Sequence, residues 1–89
     1  LAPANSGRWA IQVGAFANPT VARAVAAEAR RAMPDLLGAA EIALPATTPF
    51  GRIVLYRARL TALSEQSAAQ ACVRLSEQQT ACMAVPPGH

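Results

Sequence analysis

The sequence predicts an α+β fold, a four-stranded antiparallel sheet with element order βαββαβ and two helices on one face, an arrangement of the ferredoxin-like or RNP-like kind. Three observations predict it. Two segments alternate apolar and polar residues with the two-residue period of a strand. Each is followed by a capped segment whose apolar residues recur at three- and four-residue steps. The strand–helix pair occurs twice along 89 residues, a length that suits one domain around one core. Right-handed crossovers then put the first and third strands at the centre, with the sheet face opposite the helices left open.

Residues 1–7 (LAPANSG) mix small residues with Pro and Gly and read as a linker remnant; the domain is assigned to residues 8–86 and a tail to 87–89. In residues 9–16 (WAIQVGAF), Trp9, Ile11 and Val13 alternate with Ala10, Gln12 and Gly14, predicting a first strand with one buried face. Asn18 is a helix cap and Pro19 suits the first helical position, where an N–H would have no helical partner. Ala22, Val25, Ala26, Ala29 and Met33 form the apolar stripe of this helix, and Pro34 helps end it. Residues 40–44 predict a short second strand, and residues 45–51 (PATTPFG) a loop. Residues 52–60 (RIVLYRARL) predict the third strand, with Arg57 and Arg59 on the face away from Tyr56, Ala58 and Leu60. Ser64 caps a second helix with Glu65 in its first turn, and Ala68, Ala71, Cys72 and Leu75 form its stripe. That helix is expected to end near Gln79, and residues 81–85 supply the fourth strand.

Composition narrows the function. With 53% hydrophobic and 15% charged residues the chain can bury a core. The net charge of +3 favours anionic polymers mildly but does not form the dense basic stripe of a nucleic-acid binder. No apolar run approaches the roughly 18 residues of a membrane span, so no direct membrane insertion by this fragment is expected, and any export signal or anchor is expected outside it. His89 is terminal and Asp35 is the sole Asp, which leaves no base held beside a nucleophile. Glu28, Glu41, Glu65 and Glu77 do not converge as a carboxylate pair, and no Gly-rich phosphate loop is present. Two cysteines and a terminal His cannot fill a tetrahedral metal site. The expectation is a binding module with no catalytic residues, no cofactor and no metal.

The order Gln12-Val13-Gly14-Ala15-Phe16, then Ala22, then Tyr56-Arg57-Ala58-Arg59-Leu60, then Ala68, Cys72, Leu75 and Cys82, resembles the SPOR (sporulation-related) repeat over about residues 8–86. The pair Cys72 and Cys82 is similar to the variant at the C-terminus of some bacterial D-alanyl-D-alanine carboxypeptidases. The resemblance implies a non-catalytic domain that binds peptidoglycan glycan strands stripped of stem peptides, in the periplasm or cell envelope at the septal region. It also implies a site on the open sheet face with Gln12 supplying polar contacts. This chain departs from common members at Ala10 and Ala15, where larger or hydroxyl-bearing residues are frequent, and at Thr61-Ala62-Leu63, where many read Gly-Pro-Phe.

The candidate glycan-binding residues are therefore Gln12, Ala10, Gly14, Ala15, Arg57, Arg59, Arg52 and Phe50. An amide can match sugar hydroxyls and N-acetyl groups as donor or acceptor, although Gln12 also reads as an ordinary solvated residue on an exposed face. Gly14 would let a sugar ring approach the backbone, or would permit a bulge. Arg57 and Arg59 could meet lactyl carboxylates or N-acetyl carbonyls, or be merely solvated. Tyr56 and Trp9 fit the core better than a sugar-stacking platform, and Phe50 could line a groove from its loop. In an exported protein Cys72 and Cys82 read as a disulfide, with two buried free thiols as the alternative. An RNA-recognition domain shares the element order, but its base-stacking aromatics have no counterpart at Gln12 or Arg57. A protein-interaction or dimerisation module using the same sheet is the other alternative. A monomer bound to peptidoglycan, with no nucleic-acid partner, is the reading carried forward.

Overall fold

The computed structural model describes residues 7–88, so the assigned linker, Gly7 apart, and His89 lie outside the described residues. The first strand, β1 (Trp9–Phe16), leads into α1 (Pro19–Ala32), whose cap is the expected one: the Asn18 side chain accepts from the Thr20 N–H at 2.8 Å, with Pro19 in the first turn. Met33 leaves helical geometry at φ −136°, as a residue before proline does, and Pro34 then opens a second short helix, α2 (Pro34–Leu37). This turn is absent from the sequence expectation. It exists because it delivers Leu36 and Leu37 to the core, and Leu37 is fully buried.

The segment expected as one strand and a loop forms two strand pieces, β2 (Glu41–Ala43) and β3 (Ala46–Thr47), both antiparallel to β4 (Leu55–Leu63). Pro45 has no N–H to give to a ladder and divides the edge strand in two, while its carbonyl still accepts from the Arg57 N–H at 3.0 Å. The central strand β4 starts three residues later than expected, at Leu55 and not Arg52. Gly51 and Arg52 donate to the Thr48 and Phe50 carbonyls, so turns occupy the β-branched run that had suggested a strand; Ile53 and Val54 lie exposed. Helix α3 (Glu65–Glu77) is capped by Ser64, whose Oγ accepts from the Ser67 N–H at 3.0 Å. It closes with Thr80 donating to the Leu75 carbonyl and Gln79 to that of Ser76, with Gln79 left-handed at φ 60°. β5 (Met83–Val85) completes the sheet.

The sheet order is β2-β4-β1-β5, with β3 extending the β2 edge, so the expected central pair is β1 and β4. The described residues form five strands and three helices where four and two were expected, because Pro45 splits one strand and Pro34 seeds one extra turn. Helices α1 and α3 pack on the same face: Ala22, Ala26, Ala29, Ala68, Ala71 and Leu75 meet Ile11, Val13, Ala58, Leu60 and Leu63 in one cluster. The helix contribution is mostly alanine, which lets the helices sit close to the sheet. Cys72 and Cys82 form a disulfide with Cα atoms 5.2 Å apart, tying α3 to the residue before β5. The free-thiol alternative is thereby set aside.

Candidate functional site

The face opposite the helices is assembled by β1, β4, β5 and the β2 edge. Residues directly opposite in an antiparallel pair share a face. Gln12 stands opposite Arg59 on β4 and Met83 on β5, Ala10 opposite Val85, Ala15 opposite Arg57, and Arg59 opposite Ala43. Gln12, Ala10, Ala15, Arg57 and Arg59 are therefore brought together on one surface. Ala10 and Val85 are buried yet lie outside the main core cluster, as expected for the far side of the sheet.

Two compensating irregularities shape this surface. Between Gln12 and Ala15 the register slips by one residue, so Val13 and Gly14 together face Ala58; a second slip puts Thr61 and Ala62 opposite Ala10. Gly14 adopts φ 145° and Ala62 adopts φ 65°. The first slip decides which residue accompanies Arg57: by simple alternation it would be Gly14, but after the bulge it is Ala15. The bulge read at Gly14 is present, and a Cβ there would come within 2.7 Å of the Phe16 ring, which packs against the core.

Gln12 corrects the sequence reading most sharply. Expected as an exposed amide, it is only 9% exposed. Its Oε1 accepts from Arg59 Nε at 3.0 Å. Arginine has no acceptor, so the amide must present its oxygen to the guanidinium, and what it retains for another partner is chiefly its Nε2 donors. Arg57 and Arg59 are partly buried and have no carboxylate partner among the described residues. The ion pairs present, Arg31–Glu28 and Arg74–Asp35, belong to the helical layer. In the second, hydrogen bonds from Arg74 hold the Asp35 carboxyl below its ordinary range.

Arg52 and Phe50 are not on the sheet. They lie in the loop joining β3 to β4, at the sheet end where β1 finishes with Ala15 and Phe16; Phe50 is 73% exposed at the turn closed by Gly51. Tyr56 and Phe16 are register partners and pack against the core, as does Trp9. Sequence reasoning missed Met83, which is exposed beside Gln12, and Thr61, whose hydroxyl donates to the Glu41 carbonyl. Alternation within residues 81–85 would place Met83 on a face, but only the pairing with β1 says that it adjoins Gln12. A shallow groove of about 520 Å³ lies between α1 and α3, lined by Val21, Val25 and Leu75, on the helical side of the molecule. Among the described residues no three potential metal ligands cluster, and no helix is long and apolar enough to cross a membrane.

An antiparallel sheet backed by two helices, whose other face carries a buried amide bonded to one of two partly buried arginines, defines a small α+β domain. The chain belongs to the SPOR domain family, whose model matches residues 5–86. Its structure is similar to the SPOR domain of RlpA from Pseudomonas aeruginosa, with a TM-score of 0.66 and 23% identity over 89% of this chain and 99% of that one. It is also similar to the peptidoglycan binding domain of the B. subtilis cell wall lytic enzyme CwlC, with a TM-score of 0.54 and 17% identity over 96% of each chain. At these identities the likeness is one of fold. No match was found among curated proteins.

Proposed function

We propose that this domain is a non-catalytic peptidoglycan-binding module, that it recognises glycan strands lacking stem peptides, and that it carries a larger envelope protein to the septal wall. The observation that carries the reading is the sheet face away from the helices, on which Gln12 and Arg59 are joined and Arg57 stands beside Ala15. Membership of the SPOR family and the likeness to a domain that binds peptidoglycan support it. The small residues Ala10, Ala15 and Ala43 keep this face low, which suits an extended polymer lying across the strands. A stem peptide on each lactyl group would stand between such a flat surface and the sugar rings; its removal lets the strand lie down. The domain acts as a monomer with the wall polymer as its partner.

Sedimentation with purified sacculi tests this. The domain is expected to pellet with sacculi, to pellet more after amidase treatment, and to lose retention when Arg57→Ala is introduced at unchanged melting temperature. Equal retention before and after amidase treatment removes the preference for stripped strands. No sedimentation with either removes the peptidoglycan reading, and self-association by the unretained domain would support dimerisation through the same sheet.

A further inference from the structure

We infer that the group read by this face is a carboxylate, the free lactyl carboxylate of a stripped strand, and that Gln12 is a positioning residue that aims the Arg59 fork at it. The inference rests on the glycan-binding reading above and specifies which ligand atoms are recognised. Three observations carry it. First, the Gln12 Oε1 to Arg59 Nε bond, at 3.0 Å and largely withdrawn from solvent, fixes the plane of the guanidinium and leaves its terminal amino groups unclaimed by the amide. That edge is the one that meets a carboxylate through two parallel hydrogen bonds. Second, with the amide oxygen engaged, the site offers donors: Gln12 Nε2, the Arg59 fork and Arg57, which lies two residues, roughly 7 Å, along the same strand face. Third, this face is short of negative charge. Of the chain's five acidic residues, Glu28, Asp35, Glu65 and Glu77 belong to the helices, and only Glu41 lies on this side, at the edge opposite Thr61.

Two partly buried cations without an anion select for one. Hydrolysis of the amide between the lactyl group and the stem peptide adds water across that bond, leaving a carboxylate on the sugar and an amine on the departing peptide. A strand that was neutral at that position gains one negative charge per disaccharide. Selectivity for stripped strands then has an electrostatic source beyond the removal of bulk.

The test compares amidase-treated strands with the same strands after their carboxyl groups are coupled to methylamine by a carbodiimide, which restores a neutral amide without restoring the peptide. Retention of the treated strands is expected to exceed that of the amidated ones by about tenfold or more, the value of one charge-assisted pair, and to fall as salt is raised. Equal retention of the two forms at low salt overturns the inference while leaving glycan binding intact. Retention of neither form removes glycan binding and this inference with it. For the positioning role, Gln12→Met keeps the shape but removes the acceptor. It is expected to lower the ratio of carboxylate to amide retention toward unity, whereas a merely structural loss would lower both alike and leave the ratio unchanged. An unchanged ratio overturns the role of Gln12.

Discussion

Breaking the disulfide should cost this domain much of its stability, and the cost can be worked from the fold. Cys72 and Cys82 are 10 residues apart, and closing a loop of that size removes chain entropy from the unfolded state equivalent to about 2.7 kcal/mol at room temperature. In a domain of this length each kcal/mol shifts the midpoint by about 4–8 °C, so reduction is expected to lower it by about 10–20 °C. The local effect should be uneven. β5 is three residues long and pairs only with Ala10, Ile11 and Gln12, so the bridge is the main covalent restraint on that edge. Without it β5 frays first, withdrawing Met83 from Gln12 and exposing Val85. The assay is a thermal melt followed through the single Trp, Trp9, on oxidised protein and on reduced protein with its thiols alkylated, with hydrogen exchange read at the β1 amides. A midpoint change under about 2 °C, equivalent to well below 1 kcal/mol, would refute the loop-entropy argument. Uniform loss of protection across the sheet would refute the claim that the β5 edge yields first.

Three further outcomes follow from particular residues. Gln79 occupies the left-handed position that ends α3 and usually belongs to glycine, so Gln79→Gly is expected to raise stability by about 1 kcal/mol in urea unfolding, and an unchanged midpoint would count against strain there. Gln12→Ala is expected to lower stability by about 1–3 kcal/mol, because it empties a buried position and leaves Arg59 without its acceptor; a change within about 0.5 kcal/mol, typical of surface residues, would contradict the burial of this amide. The hydrogen bonds from Arg74 lower the Asp35 carboxyl pKa from 3.8, so their contribution is present above that value and lost as pH falls through the lower, folded one. Asp35→Asn should therefore lower the melting temperature slightly at neutral pH and match the parent in strong acid, and the effect should shrink with salt because the pair is exposed.

Much of the fold was legible because its signals are local. Asn18-Pro19 and Ser64 act as caps through hydrogen bonds spanning two or three residues, and the stripes of both long helices depend only on spacing along one element. The run Arg52-Ile53-Val54 misled because β-branched residues favour strands only where a partner strand is available. Here the turn closed by Gly51 takes the chain away from the sheet until Leu55. The site was legible in part: Arg57, Arg59 and Gln12 do share a face, but alternation within β1 gave the wrong exposure for Gln12 and could not show the bulge that sets Ala15 opposite Arg57.

By itself the sequence determined the element order, the caps and stripes, the central pairing of the first and third long strands, and the family. Tertiary structure alone decided that Gly14 is bulged beneath the Phe16 ring, that Pro45 splits the edge strand, and that Gln12 is withdrawn from water and bonded to a residue 47 positions away. The physical reason is the range of the forces. Helix caps and periodicity are satisfied within one turn or one strand, whereas register, burial and the partner of a polar side chain depend on which distant backbone lies alongside. That is known only once the sheet has formed.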